Sequence, residues 1–284
     1  MEGQRTCLVT GATSGIGRAA AFGLAALGHR LILVGRDGNE LVRAAARMRD
    51  RLEPGGVATY RCDLSLVREV RIVSERIRRE HPRIDVLVNN AGARFLKHGL
   101  TDEGIELTLA TNHLGHFVLT LSLRESLRAS GQARVINVSS GAHYGGTRAI
   151  ENIRSPEGYD GKRQYADSKL AGVLFAYALA DRWRDQGIST NAVDPGPAAT
   201  DFSRNNGTWS WLKHRFAYLL KGQLRTAAEA AETIVYLAAS DEVEGVTGRY
   251  FRDKKAMRSS DLSHDAALRE ALWESSAALS RTDA

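Results

Sequence analysis

Three glycines near the N-terminus constrain the fold of this 284-residue chain more than any other feature. They form the segment Gly11-x-x-x-Gly15-x-Gly17, which follows a predicted β-strand over Thr6–Thr10 and precedes a predicted α-helix reaching about Leu27. Glycines at a strand-to-helix turn allow a tight bend and let a phosphate approach the helix N-terminus. The spacing differs from the common Gly-x-Gly-x-x-Gly, but its position between first strand and first helix is the one that dinucleotide binding requires.

The rest of the chain alternates short apolar runs with amphipathic segments. Further strands are predicted over 30–34, 57–61, 84–88, 134–138 and 188–193, with helices that include 66–80 and 102–129. This alternation predicts one α/β domain over residues 1–284, a Rossmann-type doubly wound parallel sheet of about seven strands with helices on both faces. An aromatic-rich stretch at about 195–225 suggests a small lid over a substrate pocket, although ordinary packing explains the same aromatic residues equally well.

Composition excludes several classes of function. The net charge of +6 is spread along segments with interleaved acids, which favours solvated helix faces over a nucleic-acid surface. No apolar run approaches roughly 18 residues and a strand begins near Thr6, so we expect neither a signal peptide nor stable membrane insertion. Cys7 and Cys62 are too few for a zinc site and predict buried thiols. We expect no metal and a cytoplasmic location.

A tyrosine and a lysine four residues apart carry the clearest catalytic signal. Tyr165 and Lys169 open a long apolar-periodic segment, and in a helix this spacing places both side chains on one face. A nearby ammonium favours the phenolate and lowers a tyrosine pKa from about 10 toward the working range of an acid/base catalyst. The same spacing recurs at Tyr250 and Lys254, but there the pattern predicts a strand, in which four residues span about 13 Å.

Residues near the end of the second predicted strand indicate which dinucleotide binds. NAD-binding proteins place an acid there to hold the ribose 2′-hydroxyl, whereas this chain has Arg36, with Arg18 directly after the glycine segment. Two guanidinium groups favour a 2′-phosphate, so we predict NADP(H) rather than NAD(H). Asp37 is interpreted as the cap of the next helix. The alternative, that both arginines are merely exposed, stays open.

Several short motifs occur in a specific order along the chain. They are Thr10–Gly17, Asp63-Leu64, Asn89-Asn90-Ala91-Gly92, Asn112, Ser139-Ser140, Tyr165 with Lys169, and Pro195-Gly196 with Thr200. The ordered set resembles the short-chain dehydrogenase/reductase family over essentially the whole chain. The segments 111–117, 138–143, 248–251 and 272–274 and the enlarged loop before Tyr165 resemble its retinol dehydrogenase-like subgroup.

The resemblance implies a role for each motif. Tyr165 would donate a proton to a carbonyl oxygen as hydride arrives, and Lys169 would lower its pKa and bind the nicotinamide ribose. Ser140, rather than Ser139, would polarise the carbonyl, and Asn112 would hold a water that links Lys169 to solvent. The cofactor contacts that it implies are Gly11, Thr13, Ser14, Gly15, Ile16, Gly17, Arg18, Arg36, Asp63, Leu64, Asn90, Ala91, Gly92, Tyr165, Lys169, Pro195, Gly196 and Thr200.

The leading hypothesis is an NADP(H)-dependent oxidoreductase that interconverts a carbonyl and an alcohol on a fairly large hydrophobic or aromatic small molecule. Two alternatives stay open: reduction of an activated C=C bond or epoxide-bearing biosynthetic intermediate, and a non-catalytic dinucleotide-sensing protein. With a proton donor assigned, His113, His116 and His143 are interpreted as structural or peripheral. The resemblance implies a homodimer or homotetramer through the helices near 102 and 163, or a monomer if the loop before Tyr165 covers that surface.

Overall fold

An eight-stranded sheet forms the centre of the computed structural model, which describes residues 3–49, 51–148, 158–198 and 224–282. The strand order is β3-β2-β1-β4-β5-β6-β7-β8, and every neighbouring pair is parallel except β7–β8. The strands are β1 (Thr6–Thr10), β2 (Arg30–Gly35), β3 (Val57–Arg61), β4 (Val86–Asn89), β5 (Ala133–Val138), β6 (Ile188–Val193), β7 (Arg249–Arg252) and β8 (Lys255–Met257). The predicted doubly wound α/β fold is confirmed.

Helices pack on both faces of this sheet. They are α1 (Gly15–Ala26), α2 (Gly38–Arg49), α3 (Val67–Glu80), α4 (Leu107–Leu109), α5 (Gly115–Ser122), α6 (Arg124–Arg128), α7 (Gly161–Arg182), α8 (Ala227–Ala239) and α9 (Ala266–Ser280). Alternate strand residues point to opposite faces: Cys7 and Val9 meet α1, α2 and α8, whereas Leu8 belongs to the core under α3, α5, α6, α7 and α9. Cys7 and Cys62 are both free and buried, as predicted.

The eighth strand was not predicted from the sequence. β8 has three residues, all exposed, so it carries no apolar signal. A tight turn joins it to β7, with positive φ at Asp253 (53°) and Lys254 (61°). Tyr250 is buried in β7, whereas Lys254 pairs with Glu232 at 3.0 Å. This Tyr-x-x-x-Lys copy therefore lies on a strand and its turn, not on a helix, as expected.

The prediction of one helix over 102–129 is wrong at its start and in its continuity. The chain turns at Gly104, where φ is 76°. The Glu106 carboxylate then accepts hydrogen bonds from the N–H groups of Thr108 (2.9 Å) and Leu109 (2.8 Å), so the helix begins at Leu107. A π-helical segment, Ala110–Leu114, separates α4 from α5, and α6 follows after residue 123.

Helix α9 packs against both α5 and α7. Trp273 lies edge-on to Phe117 with ring centroids 5.1 Å apart, and the Arg182 guanidinium stacks over Trp273 at 4.1 Å. The His113 ring in the π-helical segment contacts the Ser276 hydroxyl at 2.7 Å. Helix α9 thus covers part of α5, α7 and the π-helical segment.

The predicted aromatic lid lies mostly outside the described residues. Of the stretch 195–225, residues 195–198 and 224–225 are described, and Ala198 pairs with Arg225 as a parallel bridge. The two ends of the segment therefore meet beside the sheet. None of the helices in the described ranges is long and apolar enough to cross a membrane.

Candidate active site

The turn after β1 is shaped to bring a phosphate to the N-terminus of α1. Gly11 has a φ of 65°, and a Cβ there would lie 2.9 Å from the Ala91 Cα. A Cβ on Gly17 would collide with the Gly11 carbonyl and the Asn90 amide, so glycine alone lets the helix start this close to the strands. Within the described residues 3–49, Ser14 makes no capping hydrogen bond and no acid lies in the first turn. The turn fits the pyrophosphate of a dinucleotide.

Thr10 joins the ends of β1 and β4. Its hydroxyl accepts hydrogen bonds from the N–H groups of Asn90 (2.8 Å) and Ala91 (3.0 Å), and its carbonyl accepts from the Asn90 amide at 2.8 Å. These bonds place the motif that ends at Gly92 directly beside the glycine turn. The two segments that the sequence assigned to the cofactor therefore share one edge of the sheet.

The end of β2 carries the residues expected to select the dinucleotide. Arg36 is exposed, and Arg18 is half-buried in the first turns of α1. The Asp37 carboxylate accepts hydrogen bonds from the N–H groups of Asn39 (2.9 Å) and Glu40 (3.1 Å). Asp37 therefore caps α2, as predicted, and one of its oxygens is engaged away from a ribose.

A third guanidinium, which the sequence analysis did not single out, lies at the same edge. Arg61 is the last residue of β3 and pairs in register with Gly35. Its Nε donates to the Arg36 carbonyl at 3.3 Å. A Cβ on Gly35 would lie 3.0 Å from the Thr13 side chain, so the glycine lets Thr13 pack closely against the end of β2.

Asp63 and Leu64 follow β3 closely, next to the strand end that carries Arg61. Asp63 accepts hydrogen bonds from the N–H (3.0 Å) and hydroxyl (2.7 Å) of Ser65, and its own N–H donates to Glu69 at 2.9 Å. The Leu64 carbonyl lies where a Cβ on Gly115 would collide with it. Leu64, one of the expected cofactor contacts, is thereby packed against the start of α5.

Helix α7 brings Tyr165 and Lys169 together. The Lys169 Nζ lies 5.7 Å from the centroid of the Tyr165 ring and donates to the Val138 carbonyl at 3.0 Å. Lys169 is only 5% exposed. This burial lowers the pKa of Lys169 to about 8, against an opposing effect of the Asp194 charge. The buried Lys169 amine thus lies beside the Tyr165 phenol.

Asn112 is held at the same place by the π-helical segment. Its amide oxygen accepts from the Ala93 N–H at 2.7 Å, and its amide nitrogen lies 2.9 Å from both the Ala93 carbonyl and the Ser168 hydroxyl. A Cβ on Gly92 would be 3.3 Å from the Asn112 oxygen and 3.5 Å from the Lys169 Nζ. Asn112, Gly92 and Lys169 therefore form one cluster, and the water expected there stays a prediction.

The two serines after β5 have different surroundings. The Ser139 hydroxyl donates to the Lys169 carbonyl at 2.8 Å, and its side chain is buried. The Ser140 hydroxyl accepts from the Ala142 N–H at 3.2 Å, and the residue is partly exposed. Ser139 is engaged in the core, so this geometry favours Ser140 as the donor to a substrate oxygen.

Of the three histidines that the sequence analysis considered as bases, His113 and His116 are buried, and their hydrogen bonds are to residues other than Tyr165. The His116 Nδ1 donates to the Asn112 carbonyl at 3.2 Å, and its Nε2 lies 3.1 Å from the Thr10 hydroxyl, which donates to the Val88 carbonyl at 3.2 Å. Burial lowers the pKa of His113 to about 4 and that of His116 to about 3, so both are neutral at physiological pH. Their surroundings fit the structural role expected from the sequence.

His143 lies closer to the site than the sequence analysis indicated. Its Nδ1 donates to the Ser140 carbonyl at 2.8 Å, and its Nε2 accepts from the Ser260 N–H at 3.1 Å. Because one partner is a carbonyl and the other an N–H, this pair of bonds requires a neutral ring. Ser260 is far away in sequence, so no local pattern reports this contact.

A buried acid, Asp194, precedes the Pro195-Gly196 motif. Its Oδ1 accepts from the Gly196 N–H at 2.9 Å, in a turn where Gly196 has a φ of 75°. Arg225 packs across this turn, since a Cβ on Gly196 would lie 3.1 Å from its Nε. Thr200, one of the expected cofactor contacts, lies outside the described residues.

Comparison with known proteins agrees with this geometry. A family model described as short chain dehydrogenase matches residues 5–211. The chain is 35% identical over 280 residues to retinol dehydrogenase 14 of Mus musculus, and this alignment covers 95% of this chain and 84% of that protein. It is 40% identical over 275 residues to the "putative daunorubicin C-13 ketoreductase DnrU" of Streptomyces sp. (strain C5), covering 96% and 92% of the two chains.

Solved structures extend the comparison. A variant of actinorhodin polyketide ketoreductase, solved with NADPH, superposes with a TM-score of 0.68 at 26% identity, covering 87% of this chain and 95% of that one. The family match begins at β1 and runs beyond β6, so it includes the glycine turn, Tyr165 and Lys169. The chain belongs to the short-chain dehydrogenase/reductase family, and its curated relatives place it in the retinol dehydrogenase-like subgroup.

Proposed function

We propose that this protein interconverts a carbonyl and an alcohol with NADP(H), and that Tyr165 is its acid and base. The observation that carries the proposal is the position of the buried Lys169 one helical turn from Tyr165, beside the strand end that bears Ser140. A bound nicotinamide supplies hydride in reduction and accepts it in oxidation. In reduction Tyr165 gives its phenolic proton to the substrate oxygen, so the carbon gains a hydride and the oxygen a proton.

The neighbouring residues support this proton transfer. The Lys169 ammonium stabilises the phenolate left on Tyr165, and the Ser140 hydroxyl polarises the carbonyl as a neutral donor. Asn112 fixes the loop around Gly92 next to Lys169 through its bonds to Ala93. Reprotonation of Tyr165 then proceeds from this polar cluster.

NADP(H) is favoured by the charge at the adenosine end. Arg36 directly follows β2, Arg61 donates its Nε to the Arg36 carbonyl, and Arg18 lies at the start of α1. Guanidinium groups attract a 2′-phosphate, whereas an acid would repel it. Asp37, the acid that follows Arg36 in sequence, caps α2 through one of its carboxylate oxygens. A structural relative solved with NADPH is consistent with this preference.

A large aromatic ketone is the favoured substrate class. The DnrU relative is named as a daunorubicin C-13 ketoreductase, and this chain aligns with 92% of that protein's length. One of the similar solved structures is a polyketide ketoreductase. The many aromatic residues of the stretch 195–225 fit such a substrate. Retinoids, named in other relatives, form the second class to test.

The C-terminal helix bears on the oligomeric state. We infer that the protein does not dimerise through α5 and α7, because Trp273 and Ser276 of α9 already pack against Phe117 and His113 there. Sedimentation equilibrium with chemical cross-linking tests this: the expected result is a species near 31.0 kDa, or an oligomer whose cross-links lie outside α5 and α7. A dimer whose cross-links join α5 or α7 of two copies would contradict the inference.

The direct test of the function is steady-state kinetics with a panel of polycyclic aromatic ketones, retinal and simple aldehydes, each with NADPH and NADH. Product analysis by mass spectrometry and NMR must show an alcohol at the former carbonyl carbon. A saturated carbon–carbon bond or an opened epoxide in the product would favour the alternative chemistry. Tight NADPH binding with no turnover of any of these substrates would favour the non-catalytic alternative.

A further inference from the structure

The His143 side chain joins the turn that carries Ser140 to a segment 117 residues later in the chain. Its Nδ1 donates to the Ser140 carbonyl at 2.8 Å, and its Nε2 accepts from the Ser260 N–H at 3.1 Å. The side chain is fully buried, with 0% exposed. Both ring nitrogens are therefore engaged by the backbone, and the proton transfer described above gives His143 no task.

Two aromatic rings contact the imidazole of His143. The ring centroid of Tyr144 lies 4.1 Å away, and that of Tyr250, which is buried in β7, lies 4.7 Å away. Turning the imidazole over would replace each nitrogen with a ring carbon, so both hydrogen bonds would be lost together. The packing and the two bonds thus favour one orientation of the ring.

Ser260 is itself fixed relative to helix α7. The hydroxyl of Ser259 lies 2.8 Å from the Tyr177 hydroxyl and 2.6 Å from the Ser263 hydroxyl. The Ser263 hydroxyl in turn donates to the Ser260 carbonyl at 2.5 Å. Tyr177 belongs to α7, the helix that also carries Tyr165. The N–H group that His143 accepts from is therefore tied to the same helix as the proposed proton donor.

The Ser140 carbonyl receives two hydrogen bonds from His143. Besides Nδ1, the His143 N–H donates to it at 3.0 Å, as the first bond of a short 3-10 turn. The carbonyl and the hydroxyl of Ser140 share one Cα, so a rotation of this peptide also moves the hydroxyl. A group that polarises a substrate oxygen must be held to within about 0.5 Å of its productive position.

We propose that His143 is a positioning residue: by joining the Ser140 carbonyl to the Ser260 N–H, it fixes the Ser140 hydroxyl relative to Tyr165. His143 acts through Ser140, because neither of its ring nitrogens is left to contact the substrate. The consequence for catalysis rests on the proposed function, whereas the hydrogen-bonded link between the two segments does not.

Three substitutions separate the two bonds of the His143 ring. His143→Asn keeps an N–H donor near the position of Nδ1 but is too short to reach Ser260. His143→Gln places an acceptor near the position of Nε2 but loses the donor to Ser140, and His143→Ala removes both groups. The matched control is Tyr144→Phe, because the Tyr144 hydroxyl donates to the Arg258 carbonyl at 2.6 Å. It removes a bond between the same two segments and leaves the His143 ring in place.

The first measurement is kcat for reduction of the best ketone with NADPH. It is expected to fall by about 10- to 100-fold in His143→Ala, and by less in His143→Asn and His143→Gln, since each keeps one bond. In Tyr144→Phe, kcat should stay within about twofold of the wild type, and NADPH affinity should do so in all four variants. A loss of kcat in Tyr144→Phe as large as that in His143→Ala would overturn the proposal.

A double-mutant cycle distinguishes positioning of Ser140 from a general effect on the fold. In the Ser140→Ala background, adding His143→Ala should change kcat by less than about twofold, because the residue that His143 positions is already gone. A merely structural His143 would lower kcat in both backgrounds. A further loss of about tenfold or more in the double variant would therefore overturn the proposal.

A second measurement does not depend on turnover. In the full-length protein with 15N-labelled histidine, the ring nitrogen shifts distinguish the Nδ1–H tautomer from the Nε2–H tautomer. The His143 resonances are assigned by their loss in His143→Gln. The Nδ1–H tautomer is expected at neutral pH, and the Nε2–H tautomer would overturn the proposal because it cannot donate to Ser140.

Amide hydrogen exchange reports the other end of the link. Exchange of the Ser260 N–H should be faster by about tenfold in His143→Asn and close to the wild type in His143→Gln. Equal exchange in the wild type and in His143→Asn would contradict the link. The expected tautomer and exchange pattern in a protein that reduces no ketone would support the link while contradicting the proposed function.

Discussion

The Nζ of Lys169 lies 5.7 Å from the centroid of the Tyr165 ring and 3.0 Å from the Val138 carbonyl, in a site where Lys169 is almost completely buried. Helix α7 fixes the first distance and the end of β5 fixes the second. An ammonium held in this way keeps its position beside Tyr165 and stabilises the Tyr165 phenolate. The catalytic proposal depends on this relationship.

The two serines after β5 should respond differently to the same substitution. Ser140→Ala removes the proposed donor to the substrate oxygen and is expected to lower kcat by about 100-fold or more. Ser139→Ala removes a buried bond to the Lys169 carbonyl and should lower the free energy of unfolding by about 1 kcal/mol. Steady-state kinetics and urea unfolding of both variants check this. A larger loss of kcat in Ser139→Ala would reverse the assignment of the two serines.

The arginines at the end of β2 should determine cofactor preference. Arg36→Ala removes a charge-assisted contact to the 2′-phosphate and is expected to weaken NADPH binding by about 10- to 100-fold while leaving NADH binding unchanged. Arg43→Ala, on the exposed side of α2 where Arg43 pairs with Glu40, is the matched control. Fluorescence titration gives both affinities. Equal affinity of the wild type for NADPH and NADH would contradict the role of Arg18, Arg36 and Arg61.

Two glycines in helices should have opposite effects when changed to alanine. A Cβ on Gly17 collides with the Gly11 carbonyl, so Gly17→Ala is expected to cost about 1–3 kcal/mol of unfolding free energy and to impair dinucleotide binding. In α7, a Cβ on Gly172 would have no atom of the described residues within 4 Å. Gly172→Ala should therefore stabilise the protein by about 0.5–1 kcal/mol. Urea unfolding with and without NADPH tests both. Tight NADPH binding by Gly17→Ala would disprove the assigned phosphate turn.

Buried histidines should make the fold sensitive to acid. Burial lowers the pKa of His113 to about 4 from an ordinary value of 6.5. Between these values the unfolded chain binds more protons than the folded one, so stability rises with pH and is lost as pH falls from about 6.5 toward 4. At pH 5 the expected cost for His113 is about 2 kcal/mol.

The test compares unfolding free energies at pH 7 and pH 5. The loss of stability on acidification should be about 2 kcal/mol smaller in His113→Gln than in the wild type. His98→Gln, which changes an exposed histidine, should show the wild-type loss. An identical loss in all three proteins would show that His113 is protonated in the folded state at pH 5.

Much of the sheet and the glycine turn follow from local patterns in the sequence. The strands at Thr6–Thr10, Val57–Arg61 and Ile188–Val193 match their predicted bounds, although Val57–Arg61 lies at the edge of the sheet with only Tyr60 buried. The helix expected from residue 102 begins only at Leu107, because the Glu106 side chain caps its first turn. Strand β8 was not predicted, because all three of its residues are exposed and the segment therefore has no apolar pattern.

Local sequence patterns predicted only part of the candidate site. The pairing of Tyr165 with Lys169 is a property of one helix and could be predicted. The contacts of His143 with Ser260 and of Asp194 with the segment after β5 join parts of the chain that are distant in sequence. A sequence pattern carries no information about such pairs, and these residues gained importance only from the three-dimensional arrangement.

The central claim is that the Tyr165 phenol transfers the proton, and one substitution tests it most directly. Tyr165→Phe keeps the ring beside Lys169 and removes only the hydroxyl, whereas Tyr236→Phe makes the same change on α8 as a control. With NADPH and the best ketone substrate, kcat of Tyr165→Phe is expected to fall by about 100- to 10,000-fold, with NADPH affinity within about twofold of the wild type. Full ketone reduction by Tyr165→Phe would contradict the mechanism.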